Sequence, residues 1–173
     1  MVLIDSSFEG GNIEVVDANS FDDIRLKIRK DTKSDFFQWF AFRLIGARNK
    51  PCVLKILNAA QASFPSGWED YRAVKSSDKC DWQRVPTSFK NGILEIKITP
   101  DSDAEYLSYF AMYPSERHAN LVAKCQASPD VSLSVPGFTA RGRPLEILRF
   151  DDETKKKPAF WIIAVSYTHL TLP

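Results

Sequence analysis

The sequence predicts a mainly β protein that begins with an antiparallel β-sandwich, and three observations carry this prediction. From Ile24 to Ile28, apolar residues alternate with charged ones, which indicates a strand with one buried face. Asn91 and Gly92 separate two strand-like runs, and both residues tolerate positive φ, so they predict a hairpin. Phe36 to Ile45 carries large groups on both faces, which favours a central strand of a sandwich.

The remaining strands of this sandwich are predicted to be short. Ile13 to Val16 is a brief apolar run, and Cys52 to Leu57 alternates again. Trp82 to Val85 and Ile93 to Ile98 are the two runs that flank the Asn-Gly turn, and Tyr106 to Tyr113 is the last, aromatic strand. Many short strands joined by turns are typical of an antiparallel sandwich.

A long polar stretch, Asn58 to Lys79, interrupts the strands but contains Trp68, Tyr71 and Val74. A loop this long is uncommon in a compact domain unless it packs on the body or has a function. We therefore expect this loop either to cover part of the core or to belong to a site.

The pattern changes after Pro114, where a single helix is predicted. Ser115 can cap a helix over Glu116 to Gln126, with an acidic residue early and a basic one late, as the helix dipole favours. Pro129 ends this helix. Four residues at positions i, i+3, i+4 and i+7 form one stripe on it: His118, Leu121, Val122 and Cys125.

New strands follow the helix and indicate that a second domain begins near Ser128. These predicted strands are Val131 to Val135, Leu145 to Leu148 and Phe160 to Ala164. The last is as apolar as a strand in the middle of a sheet, so we expect further chain to be needed to cover it. The predicted organisation is a sandwich over residues 1–113, a linking helix over 114–128, the start of a second domain over 129–164, and a tail over 165–173.

Composition excludes several classes of partner. The chain has 173 residues, 23 of them basic and 22 acidic, and this near-balance gives no electrostatic reason to expect nucleic acid or an anionic membrane as partner. No stretch is long and apolar enough to predict a transmembrane helix, and the first residues do not resemble a signal peptide. Three widely spaced cysteines, Cys52, Cys80 and Cys125, fit a reducing cytoplasm better than a disulfide framework.

No catalytic, cofactor-binding or metal-ligating residue is predicted in the chain. Its two histidines, His118 and His169, are too few for a catalytic zinc site, which usually takes three protein ligands. Neither G-x-S-x-G nor a phosphate-binding glycine motif is present. His118 and Cys125 share a helix face, which more often packs than reacts. Asp101, Asp103 and Glu105 resemble a calcium loop for three positions only.

The aromatic residues allow two interpretations. They form either the interior of the sandwich or a platform that binds a peptide or a glycan, and the exposure of Trp68 and Tyr71 separates the two. These residues are Phe37, Trp39, Phe40, Trp68, Tyr71, Tyr106, Tyr109 and Phe110.

Six motifs in order make the chain similar to cytosolic-type zinc metallocarboxypeptidases, over about residues 5 to 164. No single motif is specific, but their order is. They are F-E-G-G-N at Phe8 to Asn12, F-F-Q-W-F-A-F-R-L-I-G at Phe36 to Gly46, the segment Trp68 to Val74, Y-F-A-M-Y-P at Tyr109 to Pro114, E-R-H-A-N-L at Glu116 to Leu121, and G-F-T-A-R-G-R at Gly137 to Arg143.

This resemblance implies an antiparallel sandwich followed by an α/β carboxypeptidase domain with one catalytic zinc. The family holds the zinc with an H-x-x-E pair, in the form R-x-H-P-G-E, and with a later histidine. By offset, the arginine falls at Val165, the histidine at Tyr167 and the glutamate at Leu170. We therefore expect residues 165–173 not to be native to the family, and no zinc ligand is carried over.

The resemblance predicts an N-terminal fragment of an enzyme that removes C-terminal residues from peptides or proteins. Zinc is expected in the full-length parent and not in this chain, which is expected to be inactive alone, and the parent's substrates are exposed C-terminal tails. The second domain would be incomplete, so Val131 to Ala164 is expected to be poorly covered. The alternative is a free-standing sandwich that binds a peptide or a glycan.

Overall fold

The structure, a computed structural model, describes residues 2–31, 34–139 and 142–150, and they fall into two units. The first unit runs to Met112 and the second begins at Tyr113. The described residues form twelve strands and one α-helix, so the predicted mainly β fold with antiparallel sheets and a single helix is confirmed. The predicted strand Phe160 to Ala164 and the tail 165–173 lie outside the described residues.

The first unit contains two five-stranded sheets. One sheet is antiparallel throughout and has the order β1-β4-β10-β6-β7. Its strands are β1 (Leu3–Asp5), β4 (Ala41–Ile45), β6 (Val74–Ser76), β7 (Gln83–Arg84) and β10 (Ala104–Ser108).

The other sheet has the order β2-β3-β5-β9-β8, in which only the β3–β5 pair is parallel. Its strands are β2 (Glu14–Asp17), β3 (Ile24–Lys27), β5 (Cys52–Ile56), β8 (Thr87–Lys90) and β9 (Ile93–Ile98). Buried side chains from both sheets form a single hydrophobic core, as expected of a sandwich.

The period-two pattern correctly predicted which faces are buried. In β3, Ile24 and Leu26 are fully buried, while Arg25 and Lys27 are exposed. In β4, Phe42 and Leu44 face the core and Arg43 lies on the other side. β4 is shorter than predicted, because the backbone from Phe36 to Phe40 is irregular. This stretch forms hydrogen bonds with the segment between β5 and β6 instead.

The predicted Asn-Gly hairpin is present, but its first strand is β8 rather than Trp82 to Val85. Asn91 and Gly92 have φ of 52° and 81° and join β8 to β9. Gln83 and Arg84 instead pair with β6 in the opposite sheet. The last strand is also corrected: β10 ends at Ser108, and the Tyr109 amide donates to the Phe40 carbonyl at 3.0 Å.

The second unit contains helix α1 (Ser115–Gln126) and a hairpin of β11 (Val131–Phe138) and β12 (Pro144–Phe150). Pro114 occupies the N-cap position and no side chain caps the helix, so the predicted Ser115 cap is wrong. Of the predicted stripe on α1, only Val122 is buried, and Leu121 is exposed. The ladder of β11 with β12 is interrupted by a register shift between Ser134 and Gly137.

Replacing Gly92 with alanine should destabilise the first unit by about 1–2 kcal/mol, because an L-residue at φ 81° is strained. The added methyl group would also lie 3.1 Å from the Ala60 side chain. Urea denaturation followed by tryptophan fluorescence measures the change. Asn91→Gly is the matched control, since glycine accepts the same turn, and we expect it to alter stability by less than about 0.5 kcal/mol. Equal effects of the two substitutions would contradict the prediction.

Candidate functional site

The long segment between β5 and β6 folds onto the core. Two 3-10 turns, Ala59–Gln61 and Pro65–Trp68, shape it. The Trp68 side chain is 1% exposed, and its indole N–H donates to the Ala59 carbonyl at 2.8 Å. A buried indole needs such a partner, and the segment supplies it from its own first turn. The segment therefore packs on the body of the sandwich.

Four aromatic rings meet beneath this segment. The Trp68 ring lies 5.2 Å from Tyr71, 5.5 Å from Tyr109 and 6.5 Å from Phe40, between ring centroids. Tyr71 and Tyr109 stack at 4.9 Å, and the Tyr71 hydroxyl donates to the Tyr109 carbonyl at 2.5 Å. Trp68 and Phe40 lie inside the core, whereas Tyr71 and Tyr109 are partly buried against it, so the platform interpretation fails at Trp68.

The two phenols of this cluster, Tyr71 and Tyr109, both have raised pKa values. Burial raises the pKa of Tyr71 far above its ordinary value, with the nearby Tyr109 adding to the effect. Burial also raises the pKa of Tyr109, against a smaller opposing effect of the Gln38 side chain. Both hydroxyls therefore stay protonated and act as hydrogen-bonding groups in the core rather than as bases.

Gln38 fixes the position of the segment. Gln38 is only 2% exposed. Its amide nitrogen donates to the Phe64 carbonyl at 3.2 Å, and its amide oxygen accepts from the Phe64 N–H at 2.9 Å. The neighbouring backbone joins too, since Ser63 N–H donates to the Phe37 carbonyl at 2.8 Å. Gln38 thus substitutes for one rung of a β ladder between the start of β4 and the loop.

Asn12 and Asn58 act in the same way elsewhere in the first unit. The Asn58 amide accepts from the Ile28 N–H at 3.0 Å and donates to the Ile28 carbonyl at 2.9 Å. The Asn12 amide donates to the carbonyls of Arg29 and Trp39, each at 3.0 Å. Asn12 and Asn58 therefore connect neighbouring segments through hydrogen bonds to the backbone. Asn12 of the F-E-G-G-N motif and Gln38 of the Q-W-F motif thus have structural roles.

A close approach explains one glycine of the first motif. A Cβ on Gly11 would lie 2.1 Å from the Ser6 carbonyl oxygen, a distance that no side chain tolerates. The Gly11 N–H donates to the Phe8 carbonyl at 2.9 Å and closes the turn. The turn delivers Asn12 to its partners, which is why glycine and asparagine occur together there.

Arg43 joins β4 to the edge strand β1. Its guanidinium donates to the Asp5 carboxylate at 2.8 Å and lies 5.8 Å from the centroid of the Tyr106 ring. The Arg43 Nε atom is buried and has no hydrogen-bond partner among the described residues. A backbone hydrogen bond from Ser7 and the contact with Arg43 hold the pKa of Asp5 below its ordinary value.

The three carboxylates that resembled a calcium loop are occupied by other partners. Lys75 lies 2.6 Å from Asp101 and 3.8 Å from Glu105, and Arg48 lies 3.6 Å from Asp103. The hydrogen bond from Lys75 holds the pKa of Asp101 below its ordinary value. In the described part of the chain, no group of three or more His, Cys, Asp or Glu side chains could hold a metal ion.

His118 makes a side-chain contact with Glu146 that the sequence did not predict. Its Nε2 atom lies 2.8 Å from the Glu146 carboxylate, which joins α1 to β12 within the second unit. His118 is exposed, and its ring lies 6.3 Å from Tyr113. The two partners are 28 residues apart, and no local pattern indicates such a pair. Cys125 is only partly buried and unpaired, and His169 lies outside the described residues.

One cleft adjoins the long segment. It has a volume of about 680 Å³ and lies between Pro65–Arg72 and β8. Its lining includes the exposed residues Glu69, Asp70 and Arg72, together with Trp68 and Tyr71. Neither histidine nor cysteine is among its lining residues.

The described residues thus define a class of protein, a β-sandwich domain followed by one helix and a two-stranded hairpin. Comparison with known proteins then gives the family. A family model described as the cytosolic carboxypeptidase N-terminal domain matches residues 4–110, and the chain belongs to this family. The resemblance inferred from the six motifs is confirmed.

Solved structures extend the similarity beyond the sandwich. The chain is 44% identical to a metallo-carboxypeptidase from Burkholderia cenocepacia, with a TM-score of 0.86, over 91% of this chain and 42% of that one. It is 42% identical to a putative carboxypeptidase A from Shewanella denitrificans OS-217, with a TM-score of 0.84, over 87% and 40% of the two chains.

Two further relatives agree with this coverage. A metallo-carboxypeptidase from Pseudomonas aeruginosa, solved in complex with (2-guanidinoethylmercapto)succinic acid, is 36% identical with a TM-score of 0.83, over 87% of this chain and 40% of that one. An uncharacterized protein of Zymomonas mobilis subsp. mobilis is 38% identical over 161 residues, 93% of this chain and 41% of that protein. The chain therefore spans about two fifths of the length of the relatives it matches. In the described residues, no helix is long and apolar enough to cross a membrane.

Gln38→Leu should destabilise the first unit by about 1–3 kcal/mol, because the part-buried Phe64 N–H and carbonyl would both lose their partner. Thermal or urea unfolding of purified protein measures the change. Gln61→Leu is the matched control, since Gln61 lies exposed on the same segment, and it should alter stability by less than about 0.5 kcal/mol. If the two variants were equally stable, Gln38 would not position the segment.

Asp5→Asn should reduce the loss of stability that the protein shows in acid. A carboxylate with a lowered pKa in the folded state stabilises it above the pKa of the unfolded state, and this contribution disappears as pH falls through the folded pKa. Urea midpoints measured between pH 7 and pH 2.5 should therefore fall less steeply in the variant than in the wild type. Glu14→Gln on β2 is the control. Parallel pH profiles for wild type and Asp5→Asn would argue against this role.

Proposed function

We propose that the chain is the N-terminal region of a zinc metallocarboxypeptidase that removes C-terminal residues from peptides or proteins. One observation carries the proposal: 44% identity and a TM-score of 0.86 to a metallo-carboxypeptidase, over 91% of this chain but 42% of that one. The proposed organisation is a sandwich over residues 1–113, a linking helix over 114–128, the start of an α/β carboxypeptidase domain over 129–164 and a non-native tail over 165–173.

We propose further that this chain alone binds no catalytic zinc and is inactive. When bound in a full-length parent, zinc activates water and polarises the scissile carbonyl. The described residues contain no group that fits the ion. The positions aligned with the family's R-x-H-P-G-E motif carry Val165, Tyr167 and Leu170, whose side chains are not the arginine, histidine and glutamate of that motif. These three positions lie outside the described residues, so this argument uses residue type alone.

In the proposed parent, the sandwich contributes architecture rather than chemistry. Its polar motif residues are committed to backbone partners, and its aromatic cluster is committed to the core. The substrates proposed for the parent are exposed peptide or protein tails, and the sandwich would limit which tails gain access. A cytoplasmic location is proposed from the three unpaired cysteines and from the family description. The burial of Trp68 removes the support for a free-standing peptide- or glycan-binding module.

The test is zinc content and peptidase activity of the purified 173-residue chain. After dialysis against micromolar zinc and then zinc-free buffer, mass spectrometry of the metal should find far less than one zinc per chain. No C-terminal residue should be released from a panel of short peptides. The Burkholderia cenocepacia relative serves as the positive control for both measurements.

A tight, stoichiometric zinc site together with hydrolysis of the peptides would overturn the proposal. Zinc that binds weakly and is lost in a Cys80→Ser variant would identify an exposed surface thiol, and so would leave the proposal standing.

A further inference from the structure

A second cleft of the first unit lies where its two sheets meet, and we call it the basic cleft. Its volume is about 430 Å³, within the range of about 300–1,000 Å³ that small-molecule sites occupy. Residues of β5 and β9 line it from one sheet, and residues of β6 and β7 line it from the other. All of its lining residues fall within residues 4–110, the region that the family model matches.

Hydrogen bonds of the backbone shape the basic cleft where the chain crosses from one sheet to the other. Arg84 ends β7, and the crossing follows at Val85 and Pro86. The Val85 N–H donates to the Ala73 carbonyl at 2.9 Å, next to β6. The Lys97 N–H, on β9, donates to the Pro86 carbonyl at 3.0 Å. The crossing is therefore tied to both sheets, and the cleft is part of the fold of the sandwich.

The walls of the basic cleft are largely apolar. Val85 and Ile98 are buried, Val53 is half-buried, and Pro51 and Pro86 also line the cleft. A ligand that enters it would bury apolar surface, which favours binding by about 25 cal/mol per Å².

The charged groups of the basic cleft all have the same sign. Lys75, Arg84 and Lys97 line it, and no acidic residue is among its lining residues. The larger cleft beside the long segment differs, since Glu69 and Asp70 line that one. The combination of apolar walls with positive charge is complementary to an anion that has an apolar body.

Arg84 is the cation best placed to bind such an anion. Lys75 and Lys97 each have a carboxylate partner already, at 2.6 and 3.1 Å. The Arg84 guanidinium donates to the Arg72 carbonyl at 3.1 Å, and in the part of the chain that the structure describes no ion pair joins it to a carboxylate. A guanidinium has five N–H donors in a planar fork, so Arg84 keeps donors for a ligand.

We propose that the basic cleft binds a small organic carboxylate with an apolar body. The carboxylate contacts Arg84, because a guanidinium and a carboxylate match in charge and in planar geometry. The body packs on Val85 and Ile98. A medium-chain fatty acid and a blocked apolar amino acid share this chemistry, and the experiment separates them. The inference goes beyond the proposed function and does not depend on it.

Nuclear magnetic resonance of the ¹⁵N-labelled 173-residue chain tests the proposal at the level of single residues. Titration with octanoate should shift the amide signals of Val53, Val85 and Thr99, with a Kd of about 1 mM or below, as expected of so small a ligand. 1-Octanol has the same body without the charge and should bind at least about tenfold more weakly. N-acetyl-leucine is titrated in parallel, and the tighter of the two carboxylates identifies the kind of body that the cleft prefers.

Two substitutions test the role of charge. Arg84→Gln should weaken octanoate binding about five- to tenfold, because the guanidinium is lost. Lys97→Gln should weaken it about threefold, since this ammonium group is shared with a carboxylate of the protein. Arg72→Gln and Lys90→Gln are the matched controls, because both residues are exposed and neither lines the basic cleft. They should leave the Kd unchanged within about twofold.

The spectra of all four variants without ligand must retain the signals of the folded sandwich, and Lys97→Gln keeps the test decisive if Arg84→Gln does not fold. Three results would overturn the proposal. The first is that neither carboxylate shifts the amide signals of the cleft, and the second is that 1-octanol binds as tightly as octanoate. The third is that octanoate shifts only signals of the second unit, where Phe138 and Phe150 are exposed.

Discussion

The pairing of Gln38 with the backbone of Phe64 is the constraint on which the arrangement of the first unit depends. The Gln38 amide, in a residue that is 2% exposed, makes two hydrogen bonds at 2.9 and 3.2 Å. They hold the segment between β5 and β6 against the residues that precede β4. The same segment places Trp68 in the core, where its indole N–H donates to the Ala59 carbonyl. A buried donor without its acceptor costs about 1–3 kcal/mol, so the segment and the core are stable together or not at all.

The same device recurs because an amide side chain carries a donor and an acceptor at the spacing of a peptide group. Asn58 pairs with both backbone groups of Ile28, just after β3 ends at Lys27. Asn12 pairs with carbonyls on two different segments. Such residues give a sequence motif as constrained as any catalytic motif. Here the constraint comes from the polar groups of the backbone, which must be paired wherever strands end inside a covered region.

Local patterns predicted what depends on local physics. Alternation between Ile24 and Lys27 gave the buried face, since side chains on a strand alternate sides, and Asn91-Gly92 gave the turn, since both residues take positive φ. The partner of a strand is a non-local property, so the position of Gln83 and Arg84 in the opposite sheet was not predictable. His118 and Glu146 likewise meet only through the packing of α1 against the hairpin. The aromatic residues left two interpretations open, because a core and a binding platform can have the same composition. Only the burial of each ring separates the two.

The two units differ in how completely their described residues bury large apolar side chains. The first unit buries one hydrophobic core between its two sheets, and the segment between β5 and β6 packs on that core. The region that the family model matches, residues 4–110, falls within this unit. The second unit leaves Ile147 and Phe150 exposed and has a two-stranded sheet in the part described. The motifs that identify the family can thus lie on residues such as Asn12 and Gln38, whose contacts in this structure are with backbone groups.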